Sequence, residues 1–112
     1  MDFQSIQLRH LSLVALLFLS SAAWGADALK GKQRAAMACA VCHGPVGIAP
    51  MPSAPNLAGQ QELYLVEQLR AYRNGKRKHE VMGVIAKPLT DEDIENLSAW
   101  YASIRIQVEA GS

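Results

Sequence analysis

Cys39-Ala40-Val41-Cys42-His43 carries the reading of the whole chain. Two thiols three positions apart can each add across a vinyl group of a haem, while the adjacent imidazole is held where it can ligate the iron. The chain contains 2 cysteines, so the motif uses its whole thiol inventory. A structural zinc site normally takes four protein ligands, as two such pairs or one pair with two spaced histidines, and no second pair is present. A thioredoxin-like dithiol sits on a βαβ pattern, and no strand run of that kind surrounds the motif. A plain disulfide, or a chance grouping in a buried helix, is the bland alternative. The motif therefore predicts one covalent haem c attached through Cys39 and Cys42, with His43 as an iron ligand.

Residues 1–25 read as a secretory leader that is cleaved. Arg9 and His10 lead into the apolar run 11–19, and small residues follow through Ala23-Trp24-Gly25, with Ala23 and Gly25 fitting a small-x-small site before Ala26. The apolar run is shorter than the roughly 20 residues a bilayer span requires, so no stable span is expected after cleavage. Export to the periplasm agrees with the cofactor, since covalent attachment to C-x-x-C-H resembles what bacteria do outside the inner membrane. Residues 26–112 then form one domain. A domain this small buries too little of its own surface to be comfortably stable, and a haem macrocycle would supply an apolar centre.

The formal net charge of +1 argues against nucleic-acid binding. Its distribution is uneven: Arg70, Arg73, Lys76, Arg77 and Lys78 cluster in one segment, and Asp91, Glu92, Asp93 and Glu95 in another. The basic segment can steer an acidic partner. Equally, it can be a solvated helix end with cations at the negative pole, and the acids can complement the positive pole of the next helix.

Three helices are expected. The first starts at Asp27 as N-cap and runs into the cysteine motif. A second spans about 61–74, with Leu65, Leu69 and Tyr72 on one face and Gly75 as a left-handed cap. The third begins at Thr90, whose Thr-Asp-Glu-Asp run fits a capping box. It carries Ile94, Leu97, Tyr101 and Ile104 down one side and should pack on the first. Residues 44–59 hold Pro45, Gly47, Pro50, Pro52, Pro55 and Gly59, which suit a loop wrapped around a ligand. The fold class is all-α.

With C-x-x-C-H, the P-N-L-x-G loop at 55–59, a later methionine and a C-terminal amphipathic helix in this order, the chain resembles small class I cytochromes c of the single-haem, c-553-like bacterial type. The resemblance covers nearly all of residues 26–112. It implies the cytochrome c fold, with three main helices and a Pro-rich loop around one haem. It makes His43 the proximal ligand and Pro55 the residue whose carbonyl accepts a hydrogen bond from the His43 ring, fixing its orientation. Gly31 falls where the family keeps a small residue so that the first and last helices cross closely, with Trp100 as the matching aromatic. Ala35 departs from the family, where an aromatic is common.

The resemblance places the sixth ligand at Met82, in a loop spanning residues 79–86. Met37 precedes the motif on its own helix, and Met51 lies on the Pro-rich loop. His79 is the competing ligand, and Met82 as a gap-filling core residue would leave an open iron that binds or reduces small molecules. Tyr64 is expected in the core, and Arg70 and Arg73 in solvent rather than at the haem propionates. The function implied is a periplasmic single-electron carrier, not an enzyme, cycling between Fe(II) and Fe(III) with redox-protein donors and acceptors. The alternatives are a haem subunit of a larger, flavocytochrome-like dehydrogenase complex and an open-site haem binder or peroxidase.

Overall fold

The computed structural model describes residues 25–111. The leader reading of residues 1–25 lies outside them, save for Gly25. Among the described residues the chain is all-helical, in the order α1 (Ala28–Ala38), α2 (Ala40–His43), α3 (Glu62–Asn74), α4 (Glu80–Ala86) and α5 (Asp91–Ser103).

The helix ends lie where the sequence placed them. The Asp27 carboxylate accepts from the Leu29 and Lys30 amides at 2.9 and 3.1 Å. Its own amide donates to Asn96 Oδ1 at 2.7 Å, fastening the start of α1 to α5. Thr90 and Asp93 form a full capping box at the head of α5, both bonds 3.0 Å. Gly75 closes α3 at φ 80°.

Crossing of α1 over α5 sets the frame. Gly31 lies against the Asn96 carbonyl and the Trp100 side chain, so the two backbones approach as only a residue without Cβ permits. Ala35 is buried one turn on. Beneath the crossing, Leu65 and Val66 of α3 meet Ala86, Leu89, Ile94, Leu97 and Tyr101 in one cluster.

One element differs from expectation. Residues 79–86, read as a loop, are largely the helix α4. Its sequence Glu-Val-Met-Gly-Val-Ile-Ala combines β-branched residues with glycine and has weak intrinsic helix preference. Two contacts supply what propensity does not. The His79 ring accepts at Nδ1 from the Val81 and Met82 amides, both at 3.2 Å, and Ala86 is fully buried in the core.

The two charge clusters also meet. Arg73 donates to Asp91 at 2.6 Å and to the Leu89 carbonyl at 3.0 Å, and Arg70 pairs with Glu95 at 3.3 Å. From α1, Lys30 and Arg34 approach Glu92 and Asp93 at 3.5 and 3.8 Å. The arginines expected in solvent thus tie α3 to α5. The Arg73 guanidinium holds the Asp91 carboxyl below its ordinary value of 3.8. A carboxylate depressed in the folded state adds stability above its unfolded pKa, and that contribution disappears as pH falls through the folded value. Arg73→Ala is therefore expected to be less stable than the wild type at neutral pH. In urea titrations the gap should narrow below pH 3.8 and with added salt. The lost Leu89 bond should keep it from closing. A gap that ignores both acid and salt would remove Asp91 from the explanation.

Candidate functional site

The Cys39–His43 motif sits at a break in the helix. Cys39 leaves helical geometry at φ −122°, α2 makes a single turn, and Gly44 ends it at φ 81°. His43 is buried, and its Nδ1 lies 2.8 Å from the Pro55 carbonyl oxygen. A carbonyl only accepts, so Nδ1 carries the proton and Nε2 keeps its lone pair for a metal. This is the bond that the resemblance implied for Pro55.

The loop holds that carbonyl in place by its own bonds. The Leu57 and Ala58 amides both donate to the Gly47 carbonyl, at 2.8 and 3.0 Å, and the Ala49 amide donates to Asn56 Oδ1 at 2.7 Å. Gly47, at φ 75°, packs against Ala58 and the Tyr101 ring, where a Cβ would stand 2.7 and 2.9 Å from their atoms. Asn56 stood in the quoted loop motif without a role. Its role is to fasten the loop, which only the folded geometry reveals.

Beside this loop lies a cavity of about 490 Å³. Cys39, Cys42 and His43 line it from one end of the chain, Pro55 and Leu57 from the loop, Leu65 and Leu69 from α3, Met82 from α4, and Leu97 and Tyr101 from α5. All five sequence-predicted site residues therefore line this one cavity. Met51 and His79 also line it, whereas Met37 is outside and exposed. His79 uses Nδ1 to cap α4. Tyr64 is not a core residue: it is half-exposed and lines the cavity. Arg70 and Arg73 do not line it, but Arg77 does.

The wall fits a haem. It is mainly apolar, both thiols are free, and the available donors are an imidazole nitrogen and thioether sulfurs, the set that suits haem iron. On the same wall, the wholly buried Ser98 hydroxyl has no hydrogen-bond partner. Burial pushes the Cys39 thiol pKa up, against the smaller opposing pull of Tyr101 and Arg34. Burial likewise raises the Tyr101 hydroxyl well above its ordinary range, with Cys39 reinforcing it. Both groups are neutral at physiological pH.

Known proteins agree. Residues 28–105 match the family model described as Cytochrome c. Cytochrome c4 of Pseudomonas aeruginosa is 39% identical over 98 residues, covering 87% of this chain and 48% of that protein. Cytochrome c-554(548) of Halomonas halodenitrificans is 40% identical over 80 residues, covering 69% of this chain and 95% of that protein. The solved structure of cytochrome c4 from Acidithiobacillus ferrooxidans superposes with a TM-score of 0.67 at 33% identity, over 71% of this chain and 51% of that one. The chain thus spans about half the length of the cytochromes c4 it matches. Among the described residues no helix is long and apolar enough to cross a membrane. The motif, the all-helical frame, the cavity and these likenesses together establish that the chain belongs to the cytochrome c family, with covalent haem c and its iron as cofactor and Cys39 and Cys42 at the attachment position.

Proposed function

We propose that this chain is an exported, periplasmic single-electron carrier whose haem is bonded to Cys39 and Cys42 and closed by His43 and Met82. The haem supplies an Fe(III)/Fe(II) couple. The protein's work is to hold, orient and shield it. The Pro55 carbonyl accepts a hydrogen bond from His43 Nδ1–H, which fixes the ring and makes Nε2 the better donor. Leu57, Leu65, Leu69 and Leu97 give the wall an apolar surface that limits water. Met82, on a helix capped by His79, offers a sulfur ligand that favours Fe(II) and leaves no position for oxygen chemistry. Removal of residues 1–25, with residues 26–112 as the carrier domain, is part of this proposal.

The observation that carries the reading is the His43–Pro55 bond inside a cavity shared with both thiols and Met82. The test is a redox titration of purified holoprotein with spectra recorded throughout. A one-electron curve and the weak red band of sulfur-to-iron ligation in the oxidised form are expected. A low potential without that band would point to His79 instead. Donor and acceptor are redox proteins, and native-size measurement separates a free carrier from a subunit of a larger redox complex.

A further inference from the structure

The segment after α5 reads Ile104-Arg105-Ile106-Gln107-Val108-Glu109, with apolar and polar residues in strict alternation. That is the period of a strand with one apolar and one polar face, and its apolar positions are all β-branched. Yet the segment has no strand to join. It leaves α5 extended at Ile104, with φ −75° and ψ 121°, and among the described residues no backbone group of residues 105–111 bonds to another. Ile106 lies against Gly59, but it is still 53% exposed, and Val108 is 89% exposed. Arg105 and Glu109 are exposed and form no ion pair among the described residues.

Free N–H and C=O groups beside an uncovered apolar row are an edge on which another strand can pair. The charges select that strand. If two copies pair in parallel and in register, or antiparallel about Arg105 or Glu109, like charges stand opposite one another. In the antiparallel pair centred on Gln107, Arg105 of each copy faces Glu109 of the other, and Ile106 faces Val108. A two-fold axis through Gln107 produces both charge pairs at once, as a closed homodimer requires. We propose that residues 104–110 are a self-association site, pairing with the same segment of a second copy in this antiparallel register.

Ile104, Ile106 and Val108 then share one face of the ribbon, the face that meets the domain at Gly59. That support matters, because a bare two-stranded ribbon is marginal in water. With so short a segment on each side, the dimer is a weak one that forms as concentration rises. The site uses neither the haem nor its ligands, so its failure leaves the electron-carrier reading untouched.

Sedimentation velocity of the holoprotein from ~10 µM to ~1 mM reads the monomer–dimer equilibrium. The wild type should move towards dimer across this range. Arg105→Glu and Glu109→Arg should each weaken association by about tenfold or more, because either change sets like charges opposite at both ends of the ribbon. An equimolar mixture of the two variants should restore the dimer, since each supplies the charge the other lacks. The variant carrying both changes should associate like the wild type. All these substitutions lie on exposed side chains beyond the last helix, so the fold is not at stake. A wild type that stays monomeric throughout the range, or a dimer that both single variants keep, overturns the proposal. Loss of the dimer in the single variants without recovery on mixing overturns it as well.

Discussion

Met82→Ala is expected to abolish the red sulfur-to-iron band of the oxidised protein and lower the reduction potential. A shift on the order of 0.1 V is modest against the ~0.8 V that axial ligands command across haem proteins. Alanine keeps the backbone amide that donates to His79, so the α4 cap survives. What is lost is a half-buried thioether on the cavity wall. Fe(II) then loses the ligand that favours it, and the vacated position admits small molecules. An unchanged band and potential would make Met82 a gap-filling residue and transfer the ligand role to Met51, the other thioether lining the cavity.

Gly31→Ala should be strongly damaging. The added Cβ would overlap the Asn96 carbonyl and stand 2.9 Å from the Trp100 Cβ. Neither neighbour can turn aside, because one is backbone and the other is the first atom of a packed side chain. Relief requires α1 and α5 to separate, which also strains the Asp27–Asn96 bond. A loss of about 3 kcal/mol is expected from overpacking of this kind. Gly83→Ala is the matched control, since a Cβ there meets nothing within 4 Å. In mid-helix α4 it should gain roughly 0.5–1 kcal/mol through reduced chain entropy. Urea unfolding of the two holoproteins checks both, and similar stabilities would mean that the helix crossing tolerates separation.

Legibility followed the range of the interaction. Asp27, Gly75 and Thr90 act on their own helix ends, so their roles could be read from a few neighbouring residues. The haem motif was equally local, with every chemical part inside Cys39–His43. Pro55 and Gly31 were found through resemblance, because their partners, His43 and Asn96, are remote in sequence. α4 was missed since its helicity depends on a histidine cap and a buried Ala86 rather than on propensity. The charge clusters were visible individually, but their pairing across α3 and α5 was not. Arg77 lay unremarked inside the basic run. Arg77 lies past the end of α3 on the cavity, whereas Arg70 and Arg73 on α3 pair with the acids of α5.

The most direct check of a haem held closed by His43 and Met82 is carbon monoxide added to the reduced wild-type protein at neutral pH. With both axial positions occupied, the absorption spectrum should not change. Prompt formation of a carbon monoxide complex would contradict closure and make the chain an open-site haem binder.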